Sequence, residues 1–187
     1  ACDCSVLKKE DEPRDRQQQG VAIARANAMS GQFIVDVQTH FVRDDFKQDG
    51  LLGLAKYAKQ NWNPAISNEN DLYRYKFENY VKEVFVDSDT KVALLSGAPF
   101  DDPTWDLLTN DQIVAGRAAI NKTAGSRRML AHSVFTPKKG DWMAEVDRAI
   151  ATLKPDSWKG YTIGDPLFPS KLVSFWRLDD EELMYPF

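Results

Sequence analysis

The segment Phe33-Ile34-Val35-Asp36-Val37-Gln38-Thr39-His40-Phe41 runs from an apolar strand into alternating polar side chains. It ends on one of only two histidines in 187 residues. Residues two apart in a strand point to the same face, so Asp36, Gln38 and His40 line one side. A barrel strand delivers metal ligands to its C-terminal mouth in this way. Few further candidate ligands follow in the chain.

Downstream, strand and helix patterns alternate. Residues 42–70 form a long insertion containing Gly50, Gly53 and Asn61-Trp62-Asn63-Pro64, and such insertions usually shape a mouth. Asp71 to Val86 predicts an amphipathic helix with Tyr73, Phe77, Tyr80, Val81, Val84 and Phe85 on one face. Lys91 to Ser96 predicts a strand stopped by Gly97-Ala98-Pro99, and Asn110 to Lys122 a helix. Arg128 to Phe135 predicts a third strand. Trp142 to Leu153 predicts a helix capped by Asp141, with Met143, Val146, Ile150 and Leu153 inward. Trp158 to Ile163 predicts a fourth strand closed by Gly164-Asp165-Pro166. A last helix begins near Leu178-Asp179-Asp180-Glu181-Glu182, where acidic side chains suit a first turn.

This β-α-β-α-β-α-β-α order implies an α/β fold with parallel strands joined by crossover helices. A doubly wound sheet and part of a (β/α)8 barrel both satisfy it. A full barrel takes about 250 residues, and four of eight units are legible here. Residues 1–30, with Gln17-Gln18-Gln19-Gly20 and a short helical stretch over Val21–Met29, form an N-terminal arm, and 31–187 form the domain.

Composition narrows the function classes. Net charge is −4, without the basic excess of a general nucleic-acid binder. No apolar run approaches the roughly 18 residues that span a bilayer. The charged N-terminus does not read as a signal peptide. Cys2 and Cys4 have no second pair to complete a metal site or disulfide framework, and read as two thiols.

Several segments together resemble the amidohydrolase-related metal-dependent hydrolases. This is the barrel branch that also contains aminocarboxymuconate-semialdehyde decarboxylase and resorcylate decarboxylases. The matching segments are Asp36-Val37-Gln38-Thr39-His40-Phe41, Leu94-Leu95-Ser96-Gly97-Ala98-Pro99 and Ser126-Arg127-Arg128-Met129-Leu130-Ala131-His132. They continue with Asp156 to Pro166 and Trp176-Arg177-Leu178-Asp179-Asp180-Glu181, in family order over roughly residues 33–187. The resemblance implies the first half of a (β/α)8 TIM barrel, with one divalent metal, zinc or manganese, at the strand C-termini. It implies hydrolysis of a small organic substrate, carboxylated substrates included, or non-oxidative decarboxylation of one. The family's first strand carries His-x-His; here Gln38 stands first and His40 second. An amide oxygen can ligate a divalent ion, more weakly than imidazole. The family's remaining ligands fall beyond residue 187. A complementary C-terminal half, in cis or trans, is the expected partner, and a homo-oligomer is compatible with it. A non-catalytic half-barrel awaiting such a partner is the alternative of another class.

The candidate residues each have a plainer reading. His40 is a metal ligand or a mouth histidine satisfied by a hydrogen bond. Gln38 ligates the metal or fills the top layer of the barrel. Asp36, a layer deeper, is expected to hold a backbone amide or a basic side chain. His132, on the third strand, is a proton carrier or substrate contact, or else a satisfied interior histidine. Lys159 contacts substrate, pairs with a neighbouring strand's carboxylate, or is carbamylated as in binuclear relatives. Tyr161, two residues on, shares its face and is placed to donate to a substrate oxygen. Asp101, Asp102 and Asp165 lie on loops after strands. Trp62, Trp105 and Trp176 line the mouth or pack the core. Arg177 binds a carboxylate or closes a structural ion pair.

Overall fold

The computed structural model describes residues 19–21, 23, 24, 27, 31–66, 70–162 and 174–187. Cys2, Cys4, Ile163 and Asp165 lie outside the described residues. Residues 1–34 cluster as one compact unit and 35–187 as another. In the first, residues 19–21, 23, 24 and 27 are helical, and Val21 and Ile23 are exposed.

The second unit carries a four-stranded parallel sheet in the order β1 (Ile34–Thr39), β2 (Thr90–Leu95), β3 (Met129–Val134), β4 (Ser157–Lys159). Ala93 stands opposite Met129 and Leu95 opposite Ala131, while His132 stands opposite Ser157 and Val134 opposite Lys159. The helices are α1 (Gly50–Asn61), α2 (Phe77–Val81), α3 (Asn110–Ala124), α4 (Trp142–Arg148) and α5 (Glu181–Met184). Strand order follows chain order, unlike a doubly wound sheet, a choice the alternating pattern alone left open.

The sheet curls into a half-barrel. Three strand spacings of about 4.8 Å put the outer strands of a flat sheet roughly 14 Å apart, with side chains parallel. Here the Lys159 ammonium on β4 donates to the Gln38 amide oxygen on β1 at 2.8 Å. Only a concave face lets those two side chains converge.

The convex face is packed along β2 and β3, whereas on β1 Val35 and Val37, on the same side as Thr39, are exposed. Ala93, Leu95, Met129 and Ala131 meet Ile113 and Ile120 of α3, together with Phe41 and Tyr80, in one buried cluster. The concave face is open: Val92, Leu94 and Leu130, one residue out of phase, are only partly buried. A second cluster joins Phe135, Val146 and Trp176, so Trp176 packs as core. Trp62 is exposed.

Two asparagines hold α3 along β3. The Asn110 side chain donates to the Val134 carbonyl at 3.0 Å and accepts from the Val134 amide at 2.7 Å. The Asn121 side chain donates to the Met129 carbonyl at 2.9 Å and accepts from the Arg128 and Met129 amides at 2.8 and 2.7 Å. Eleven helical steps cover about 16–17 Å, and five strand steps cover the same. The spacing therefore matches one antiparallel return. Thr109 and Gln112 form a capping box at the start of α3, and Gly125 ends it in the left-handed region at φ 62°.

The structure departs from the sequence reading at four places. The insertion at 42–70 contains α1, whose Leu51, Leu54, Ala55 and Ala58 recur at i, i+3, i+4 and i+7, a helical stripe that Gly50 and Gly53 masked in the sequence reading. The helix predicted over Asp71–Val86 breaks at Lys76, which is extended; a 3-10 turn (Leu72–Tyr75) precedes α2, and a π-helical turn (Lys82–Val86) follows. Tyr73 lies before the break and is exposed, off the predicted face. A second π turn (Ala149–Leu153) ends α4. Within it Ala149 and Leu153 are buried and Ile150 is exposed, so the buried stripe runs Val146, Ala149, Leu153 rather than through Ile150. Strand β4 stops at Lys159 rather than Ile163, because β3 ends at Val134 and the Phe135 amide makes the last ladder bond, to the Lys159 carbonyl.

Removing the Asn121 side chain orphans two strand amides in a half-buried site. Asn121→Ala is expected to cost about 2–3 kcal/mol in urea unfolding. Asn121→Asp, which keeps the accepting oxygen, should cost less. Equal losses would contradict the assigned roles of the two amide atoms.

Candidate functional site at the strand ends

Because all four strands run the same way, their C-terminal ends meet on one rim. Each candidate side chain arrives there by strand parity. Thr39 faces outward, where its hydroxyl lies 2.7 Å from the Tyr80 hydroxyl and donates to the Leu94 carbonyl. Its neighbours Gln38 and His40 consequently face the concave side. Asp36 accepts from the Gln38 amide at 3.1 Å, the backbone role expected of it.

His40 is oriented from β2. Its Nδ1 lies 2.8 Å from the carbonyl of Ser96, just past the strand. A carbonyl can only accept, so Nδ1 carries the proton and Nε2 keeps its lone pair. That arrangement orients imidazole ligands in metal sites. Burial is the largest influence on His40 and lowers its pKa. The Ser96 bond opposes it, the Lys159 charge adds to the lowering, and Asp36 opposes it.

Lys159 sits at the other edge of the curl. Its ammonium meets the Gln38 oxygen at 2.8 Å and lies 5.3 Å from the centre of the Tyr161 ring. Burial lowers the Lys159 pKa and raises that of Tyr161. The predicted carboxylate partner for Lys159 is absent among the described residues; an amide oxygen from the opposite strand takes that place.

His132 is 8% exposed on β3, and its Nδ1 has no hydrogen-bond partner among the described residues. Burial lowers its pKa to about 4, assisted by the charges of Lys159 and His40. It is a neutral imidazole at neutral pH. Ring contacts and lining residues thus bring Gln38, His40, Lys159 and Tyr161 to one rim, with His132 electrostatically coupled to it.

Beside them lies a cavity of about 440 Å³, within the range of small-molecule sites. Gln38, His40 and Tyr161 line its polar side; Phe46, Leu54 and Trp105 are among its apolar walls. Several wall residues come from the insertion, α1 included. Phe100 meets Trp105 and Tyr161 edge-on, with ring centres 6.1 Å apart in both cases.

The other loop candidates are committed elsewhere. Asp101 accepts from Ser174 at 2.6 Å, and Asp102 caps the turn Pro103–Trp105 through the Thr104 amide. Arg177 pairs with Asp179 through two bonds of 2.8 Å, and Asp180 caps α5. The sequence reading missed the Ser96 carbonyl, which backbone chemistry hides, and Asp106. Burial raises the Asp106 carboxyl to about 6, against the charges of Lys139 and Arg43. It lines a neighbouring cavity of about 320 Å³ with Phe100 and Lys139.

A divalent ion needs several deprotonated donors. His40 fits as one. Gln38 is less suited, because its oxygen already accepts from an ammonium that would repel a second cation. Among the described residues, no three His, Cys, Asp or Glu side chains group closely enough to hold a metal. Any further donors would come from outside them. No helix among the described residues is long and apolar enough to cross a membrane. No protein-family model, curated protein or solved structure matches the chain.

The neutral state of His132 has a signature in solution. Its folded pKa lies below the free value of 6.5, so the unfolded chain takes the proton first. The stability this contributes is complete above pH 6.5 and is lost as pH falls toward 4. In His132→Gln, stability should fall less across that window, and imidazole nitrogen shifts should report a neutral ring down to about pH 4–5 in the parent. A ring that titrates at 6.5 would contradict the burial argument.

Proposed function

We propose that residues 35–187 are the amino-terminal half of a (β/α)8 barrel enzyme, a metal-dependent hydrolase of the amidohydrolase type acting on a small organic substrate. The observation that carries the reading is the orientation of His40 by Ser96 on the rim of a 440 Å³ cavity. Active sites of such barrels sit at the strand C-termini. The open concave face supports completion by a second half. Val92, Leu94 and Leu130 would be buried in a closed barrel, and β1 and β4 are free edges among the described strands.

A bound divalent ion would activate a water or polarise a substrate oxygen. His40 would hold it through Nε2. Tyr161, kept protonated by burial, donates to a substrate oxygen. His132 remains an uncharged imidazole that accepts a proton only when the site supplies a strong acid. Phe46, Trp105 and Leu54 exclude water from the apolar side. Non-oxidative decarboxylation uses the same scaffold and is the second reading, favoured by the ammonium of Lys159 at the rim.

The test is metal content and turnover of the complete protein, with the complementary barrel half present in cis or trans. One equivalent of zinc or manganese is expected. His40→Ala should lower metal affinity by 100-fold or more and abolish hydrolysis of ester and amide substrates. A metal-free chain whose activity survives His40→Ala would overturn the reading.

A further inference from the structure

Resting on the rim assignment above, we infer that the Lys159 ammonium is an anion receptor held in reserve by Gln38, and that it takes the carboxylate of a small acid with an apolar body. A half-buried ammonium ordinarily pairs with a carboxylate, because desolvating an unpaired charge is costly. Among the described residues Lys159 has one hydrogen bond, to a neutral amide oxygen, and one aromatic face. Neither neutralises the charge. The amide is therefore a weaker partner than the anion it is exchanged for, because a carboxylate adds to the ammonium's charge-assisted bond a charge–charge attraction that a neutral amide lacks.

The bridge also spans the opening. Gln38 and Lys159 come from the two edge strands, so their bond crosses the concave face beside the cavity that Gln38 and Tyr161 line. The ammonium adjoins that cavity through Gln38 and Tyr161 rather than lining it, so a carboxylate exchanged for the Gln38 oxygen directs its body toward Phe46, Leu54 and Trp105. This arrangement suits a monocarboxylate with a compact hydrocarbon group. It also gives Gln38 a role other than metal ligation: it positions the lysine. The exchange needs no covalent change, only release of one hydrogen bond and formation of another.

The probes are cyclohexanecarboxylate and its neutral isostere cyclohexanecarboxamide, titrated calorimetrically into the full chain after chelator treatment. The acid should bind at least tenfold tighter than the amide. Lys159→Met should erase that difference, and Lys159→Arg should keep it within about threefold. Gln38→Leu should retain or tighten acid binding, because it frees the ammonium. A purely structural bridge would instead lose binding with either partner. Equal affinity for acid and amide in the parent chain, no binding of the acid, or loss of acid binding in Gln38→Leu with the fold intact would each overturn the proposal. Zinc stoichiometry and its sensitivity to His40→Ala are read separately on untreated protein. Failure of the metal reading is thus distinguishable from failure of this one.

Discussion

Everything at the rim depends on the helical return that makes neighbouring strands parallel. Two asparagines enforce one such return, gripping the ends of β3 from the ends of α3. The match between eleven helical steps and five strand steps leaves no slack for a register shift. A slip by one residue would carry His132 to the convex core and Ala131 to the concave face, reversing the chemistry of both. Asp156 secures the next junction. It accepts from the Ala131 amide at 2.8 Å and pairs with Arg117 at 2.9 Å and with Arg127. Arg117 in turn reaches the Leu153 and Lys154 carbonyls at the end of the following helix. Polar side chains thus set the register, and apolar side chains supply the burial.

Strand parity made much of the rim legible in the sequence. Asp36, Gln38 and His40 share a face because strands alternate, whatever the tertiary structure. Lys159 and Tyr161 were readable as neighbours for the same reason, although Tyr161 lies just past the ladder. What stayed hidden was nonlocal. Lys159 and Gln38 are 121 residues apart, and only the curl brings them together. Backbone acceptors such as Ser96 carry no side-chain signal, so the orientation of His40 had none either. The two π turns were equally invisible, since periodicity assumes a constant residue count per turn. Val146 and Leu153 were placed correctly, and Ile150 was misplaced because the i+3 residue Ala149 takes the inward position that i+4 was read to fill.

The electrostatics of the rim follow from what is missing as much as from what is present. Lys159 is the formal cation near two imidazoles, and its charge makes each harder to protonate. Asp36 pulls His40 the other way but is spent partly on the Gln38 amide. The result is a region with hydrogen-bond donors, neutral bases and a weakly satisfied ammonium. Both imidazoles are in consequence harder to protonate than a free histidine.

Stability and chemistry occupy opposite faces of the same strands. On the convex face Ala93, Leu95, Met129 and Ala131 are fully buried against helices, so substitutions there act through cavities and overpacking. On the concave face Val92, Leu94 and Leu130 are only partly buried, and a polar substitution there displaces little packed volume. One strand therefore carries two independent sets of constraints, two residues apart in period and opposite in direction. This separation lets an exposed Gln38 stand at the rim beside His40 and Tyr161 without displacing packed core. The Gln38 backbone belongs to the fold, while its side chain, facing the cavity, has Lys159 as its hydrogen-bond partner among the described residues.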